Sequence, residues 1–171
     1  MPSEIIYRLR EELEDKDSSQ SGGLNALITA QGLVVYTRIN ATGDWYKERP
    51  RVDLKCSIGN ATGRRFACAD NVPRYDAFHF ALAIQVVTEP RNTAANNELH
   101  EQMCGIVRNT ISSVGGNNSL ADVLNFPNVL IPEVLKDSGV SDSAVDEKDG
   151  LEYTTMSWDG IVAIRPTAWN N

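Results

Sequence analysis

The run AFHFALAIQVVT, Ala77–Thr88, alternates with a period of two. Phe78, Phe80, Leu82, Ile84 and Val86 share one face, and Ala77, His79, Ala81, Ala83 and Gln85 share the other. A helix cannot keep that division, because its side chains return to one face every 3.6 residues; a strand can. The second face is small rather than charged, so a helix or a neighbouring subunit is expected to pack there as well.

Upstream, RVDLKCSI (Arg51–Ile58) alternates in the same way. Val52, Leu54, Cys56 and Ile58 point one way, and Arg51, Asp53, Lys55 and Ser57 the other. The strand runs into NATG (Asn60–Gly63), the second copy of a tetrapeptide first seen at Asn40–Gly43. Asn opens type I turns, and a closing Gly can take the left-handed conformation of a G1 bulge. The second copy therefore predicts a tight hairpin, with RRFACA (Arg64–Ala69) leaving it. The first copy follows LVVYTRI (Leu33–Ile39) and begins a longer polar connection, NATGDWYKERP, closed by Pro50. Each NATG is also an N-x-T sequon, but the opening MPSEIIYRLREELEDK has no apolar signal-peptide core. A chain made in the cytosol is expected, with both copies unglycosylated and at exposed turns.

Helical spacing brackets the strands. Ile5, Leu9 and Leu13 recur at i, i+4 and i+8 beside Ile6, with Ser3 as N-cap. DSSQSGG then breaks the helix, and LNALITAQG adds a short piece closed by Gly32. After EPRNT comes the main helix, where Leu99, Met103, Ile106, Val107, Thr110, Ile111 and Val114 keep helical spacing. Asn92 or Thr93 caps it and Gly115-Gly116 ends it. NNSLADVLNFP adds a helical turn. VLIPEVLKD (Val129–Asp137) reads as an edge strand, since Pro132 cannot donate to a ladder. SGVSDSAVDEKDG reads as an acidic loop, and LEYTTMSWDGIVAIRP (Leu151–Pro166) as a final strand with a bulge at Asp159-Gly160. The order predicts one α+β domain over residues 1–171: an antiparallel sheet, an N-terminal and a main helix on one face, and a closing C-terminal hairpin.

Composition narrows the function. The 171 residues carry a net charge of −7 and a pI near 4.8, the wrong sign for gripping phosphates. An acidic surface still suits a channel through which DNA slides. No apolar run approaches the roughly 20 residues of a membrane span. Three cysteines, Cys56, Cys68 and Cys104, do not make a disulfide framework.

Catalytic signals are weak. His100 and Cys104 stand at i and i+4, half of a tetrahedral zinc site that Cys56 and Cys68 could complete. No CxxC or HxxxH supports it, and buried cysteine is an ordinary small hydrophobe. As nucleophile and base, the same pair lacks oxyanion donors. His79 reads as a packed or interfacial histidine. Asp142, Asp146, Glu147 and Asp149 lack the order of a calcium loop. GNATGRR lies between strands and not before a helix, so a helix dipole cannot help it hold phosphate. Neither G-x-G-x-x-G nor a Walker A motif occurs. No enzyme is expected, and no catalytic, cofactor or metal residue.

Five pieces together resemble the tail terminator and neck proteins of long-tailed bacteriophages: SEIIYRLREEL, RVDLKCSIGNATGRRFACA, AFHFALAIQVVTEP, NNELHEQMCGIVRNTISS and YTTMSWDGIVAIRPTAW. The resemblance implies a virion protein forming a homo-oligomeric ring, commonly hexameric, on the end of the tail tube. Such a ring stops tube growth and joins tail to head. Its partners are the tail tube protein and a head-completion or connector protein, with DNA only passing through and no membrane involved. The family has no catalytic residues to carry over. The connector NFPNVLIPEVLKDSGVSDSAVDEKD is longer than a minimal member needs, so another neck, head-completion or tube ring stays open beside the terminator, as does a small-molecule-binding domain. Tyr153, Met156, Trp158, Ile161, Val162 and Ile164 fall on both faces of the final strand. That strand is expected to serve both its own core and a ring neighbour or the tube.

Overall fold

The computed structural model of the chain describes residues 7, 9–10, 13, 24, 36–39, 49–66, 75–112, 129–141 and 150–165. Its elements are β1 (Tyr36–Ile39), β2 (Arg51–Phe66), β3 (Tyr75–Thr88), α1 (Ala94–Ser112), β4 (Val129–Leu130), β5 (Lys136–Ser141) and β6 (Glu152–Ile164). The strands form one six-stranded sheet in the order β1-β2-β3-β6-β4, with β5 also paired to β6. The architecture is α+β, as expected.

The three long strands β2, β3 and β6 explain why the pattern of two is so clean. Val52, Leu54, Cys56 and Ile58 lie opposite Val86, Ile84, Leu82 and Phe80. On the far side of β3, Leu82 faces Trp158 and Ile84 faces Met156. Directly opposite side chains stand about 4.5–5.5 Å apart at Cβ, so each pair is an apolar contact on one face. Onto that face α1 lays Met103, Val107 and Ile111, all fully buried and all in one core cluster with the strand residues. Leu99 and Ile106 pack against its margin. Thr93 is the N-cap: its hydroxyl accepts from the Asn96 amide at 3.2 Å, and its carbonyl takes the first helical bond from Asn97 at 3.0 Å. Of the N-terminal stripe, Leu9 and Leu13 are helical and buried in the same cluster, with Tyr7 exposed. Leu24 joins them. Ser3, Ile5, Ile6, Gly32 and Val114 lie outside the described residues.

Four expectations are corrected. First, β1 runs parallel to β2, whereas the sheet was expected to be antiparallel throughout. Alternation identifies a strand but not its direction; β1 ends at Ile39 and β2 begins at Arg51, too far apart in sequence for a two-residue hairpin turn to set the direction. The first NATG lies outside the described residues.

Second, the Asn60–Gly63 NATG is no hairpin end. β2 continues through it to Phe66, still paired: Ala61 to Phe78, Arg65 to Asp76 and Phe66 to Tyr75, with register shifts between Ile58 and Ala61 and between Ala61 and Arg65. The turn chemistry is present but it bulges the strand. The Thr62 hydroxyl donates to the Ala77 carbonyl at 3.2 Å and accepts from the Arg64 amide at 3.2 Å, while Gly63 takes φ +75°. Arg64–Phe66 belong to β2 rather than to a returning strand, and the antiparallel partner β3 begins at Tyr75.

Third, Val129–Asp137 is not one strand. It breaks at Ile131–Leu135, which includes Pro132, and resumes as β5, so Ser138–Ser141 are strand and not loop. β5 and β6 form the closing hairpin.

Fourth, Asp159-Gly160 is not a bulge. Phe80, Ala81 and Leu82 pair with Gly160, Asp159 and Trp158 without a shift. The irregularity sits on the partner strand, between Asp137 and Gly139, where Gly139 takes φ +142° and the Asp137 carboxylate accepts from its amide at 3.0 Å. Gly160 has a different reason to be glycine. A Cβ there would stand 2.4 Å from Leu135 Cδ2, because the chain entering β5 packs Leu135 flat across β6.

Candidate functional site

Two regions carry chemistry or contact. The first is the sheet end where β3 hands over to α1. His100 sits on the buried stripe of the helix, one turn before Met103, and is 1% exposed. Its Nδ1 lies 2.7 Å from Thr88 Oγ1 on β3 and its Nε2 lies 2.7 Å from Thr154 Oγ1 on β6. The hydroxyl proton of Thr88 is given to the Glu89 carbonyl at 3.0 Å. A hydroxyl has one proton, so the ring must donate from Nδ1 and accept at Nε2 from Thr154. The imidazole is a neutral bridge between two strands. Burial pushes its pKa below the ordinary 6.5; the Arg91 guanidinium lowers it further, and Glu152 and Glu101 pull the other way.

Beside it, Arg91 ties the β3–α1 connection down. Its amide donates to Glu152 Oε2 at 2.7 Å, its Nε bonds Glu152 Oε1, and its Nη1 reaches Glu101 at 2.8 Å. Glu152 is 6% exposed, so this carboxylate is held by two charge-assisted bonds as burial requires. Nearby, Arg49 pairs with Glu89 at 3.1 Å across a shallow recess lined also by Pro50, Asn96 and Leu99.

This constellation holds rather than reacts. Burial pushes the Cys104 thiol up to about 11, chiefly by desolvation, with Glu101 adding to it and the neighbouring Thr154 hydroxyl opposing. Cys56 is likewise raised to about 11 by burial. Neither is a thiolate near neutrality, the form a nucleophile or metal ligand needs. Both ring nitrogens of His100 are engaged by threonine hydroxyls. Among the described residues no three His, Cys, Asp or Glu side chains cluster as metal ligands. Cys68, Asp142, Asp146, Glu147 and Asp149 lie outside those residues. Alternation hid Thr88, Arg91, Glu152 and Thr154 from sequence reading. The available signal was the position of His100, in phase with Met103, Val107 and Ile111, together with the placement of Glu152 and Thr154 on the β6 face that Met156 and Trp158 bury.

The second region is the sheet face opposite α1. His79, Ala81, Lys55, Ser57 and Asp159 are exposed there, with Ala83, Gln85, Thr155, Ser157 and Ile161 half-buried. Gln85 donates to the Thr155 hydroxyl at 3.1 Å. Of the two occupants expected on the small-residue face, a helix of the chain or a neighbouring subunit, α1 is not the one: it lies on the apolar side, and within the chain His79, Ala81 and Asp159 at the centre of this face are exposed. At the far end, Arg64 and Arg65 of the bulged β2 are exposed and pair with Glu133 at 3.2 Å and Asp76 at 3.3 Å. The GNATGRR arginines thus meet carboxylates.

No protein-family model matches the sequence, and no curated protein matches it significantly. Among solved structures, the fold is similar to a chain of the virion of a native gene transfer agent (GTA) particle, with a TM-score of 0.50 over 92% of this chain and 93% of that chain. The two are 13% identical, so the likeness is one of fold. No described helix is long and apolar enough to cross a membrane.

Proposed function

We propose that this chain is a structural virion protein of a tailed phage or phage-like particle and acts by assembly, not catalysis. The observation that carries this is the fold shared along nearly the whole length of both chains with a virion component. Among the described residues the polar cluster is buried and neutral at its histidine, which suits a scaffold better than an active site. Within that class, the order of elements favours a tail terminator: a hexameric ring at the neck that caps the tail tube, joins it to the head-completion or connector protein, and lets DNA pass. The chain would be made in the host cytoplasm and reside in the virion.

One sheet face carries the helices, the other bears small, polar and charged side chains, and among the described residues β1 and β4 stand at the sheet margins, where a neighbour can add to the ladder. The −7 charge lets a channel repel phosphates and pass DNA.

Electron microscopy of the purified protein tests the assembly. Closed rings with a central channel support it, and monomers with a ligand-filled recess support a small-molecule-binding domain. In a phage, deletion of the protein, or truncation after Gly150 to remove β6, is expected to yield tails of uncontrolled length that do not join heads. Normal-length tails left unattached assign a joining ring without length control. Normal-length tails on full heads refute the terminator.

A further inference from the structure

The way α1 is seated is uneven. Ala94–Leu99 contributes no fully buried residue; the first is His100, and the apolar anchors Met103, Val107 and Ile111 all lie beyond it. The leading turns of the helix are therefore held to the sheet by a polar clasp: His100 between Thr88 and Thr154, with Arg91 bridging Glu152 and Glu101 outside it. We propose that this clasp is an acid-released latch. Protonation of His100 unseats the leading turns of α1 and the β3–α1 connection as one local unit, while the sheet and the helix from Met103 onward stay folded. This does not rest on the ring reading.

A proton can add only at Nε2, which accepts from the Thr154 hydroxyl. Once protonated, that nitrogen becomes a donor and faces a hydroxyl proton. The Thr154 hydroxyl then turns its proton to the Cys104 sulfur, a weak acceptor beside it, so that its oxygen can receive the Nε2 proton. A full positive charge would then sit in a site 1% exposed to solvent. The charged and titratable groups around it come from each packed element: Glu101 and Cys104 from α1, Arg91 from the connection, and Glu152 from β6. Thr88, from β3, is neutral. Glu152 and Glu101 would compensate, but Arg91 already engages both and itself repels the imidazolium. Opening the leading turns instead hydrates the ring at once, and it breaks few apolar contacts, as local opening units do.

The sign follows from linkage. The closed ring has a pKa below 6.5 and the opened, hydrated ring an ordinary one. The opened state therefore binds the proton first. Closure is fully favoured above about pH 6.5 and is lost progressively as pH falls below it, by up to about tenfold in the opening constant per pH unit.

Hydrogen exchange on the full chain, corrected for the intrinsic pH dependence of exchange, tests this between pH 7.5 and pH 5. The expected result is a steep rise in opening for peptides covering 94–102, with peptides from 52–58 and 80–86 unchanged. His100→Gln keeps a neutral donor and acceptor and removes the titration, so its 94–102 exchange should not depend on pH. Should that variant fail to fold, His79→Asn leaves His100 as the sole imidazole of a chain with two histidines. Its NMR titration should then coincide with shift changes in the leading-turn amides. The latch is overturned if 94–102 protection is independent of pH, if helix and sheet open together, if the dependence survives in His100→Gln, or if His100 titrates while those amides stay unmoved.

Discussion

Replacing Gly160 with alanine adds one methyl group at the most crowded of the described glycines. The new Cβ would sit 2.4 Å from Leu135 Cδ2, while Leu135 Cγ and Cα lie at 3.7 and 3.8 Å. Favourable carbon contacts lie at about 3.5–4.0 Å, so only the tip of the leucine must move, and by more than an ångström. Leu135 is 4% exposed and belongs to the core cluster, so its tip moves among buried neighbours. Overpacking of this kind costs about 1–3 kcal/mol. Against it stands about 0.4–1 kcal/mol from the reduced freedom of the unfolded chain when glycine becomes alanine. The net expectation is a loss of roughly 0.5–2 kcal/mol. For a chain of this length each kcal/mol moves the melting midpoint by about 2–4 °C, so thermal unfolding by circular dichroism should show a fall of several degrees. A double-mutant cycle identifies the cause. Leu135→Ala alone should cost about 2–5 kcal/mol by leaving a cavity. In the Gly160→Ala background it should cost less, because the clash is gone, with a coupling of about 0.5–3 kcal/mol. A Gly160→Ala protein that melts at or above the parent, together with an additive cycle, refutes the packing argument.

Other expectations are smaller in scope. Gly63→Val should lower the melting midpoint, because Gly63 holds φ +75° in open space and a β-branched residue is strained there even without a clash; an unchanged midpoint would remove the bulge from the account. Thr93→Ala should cost about 1 kcal/mol through the lost cap bond to Asn96, read as a lower midpoint in urea with an unchanged slope. Elemental analysis of the purified chain should find no stoichiometric zinc; about one zinc per chain, lost in Cys104→Ser, would reverse the assignment of His100 to a neutral hydrogen-bonded bridge.

The strands and helices of the core were legible because burial on one face leaves a periodic trace. Val52 to Ile58, Phe80 to Val86, and Met103, Val107 and Ile111 each declare a buried face within a few residues, and Leu9 and Leu13 do the same one helical turn apart. Turn chemistry was legible as chemistry but not as position. Asn60–Gly63 has the residues of a reversal, and Gly63 does adopt a positive φ, yet β3 extends far enough to pair with Ala61, Arg65 and Phe66. Whether a tight segment ends a strand or bulges it depends on the length of its partner, which no local window contains. The same holds for the direction of β1, and for Gly160, whose reason is Leu135 crossing over it. The polar clasp was the least legible. Thr88, His100 and Thr154 are each unremarkable in sequence, and their 2.7 Å contacts exist only because two strands and a helix converge. The sequence alone determined which residues seek the interior; only the tertiary structure decided which partners they meet there, because pairing direction, strand overlap and buried hydrogen bonds depend on segments far apart in the chain.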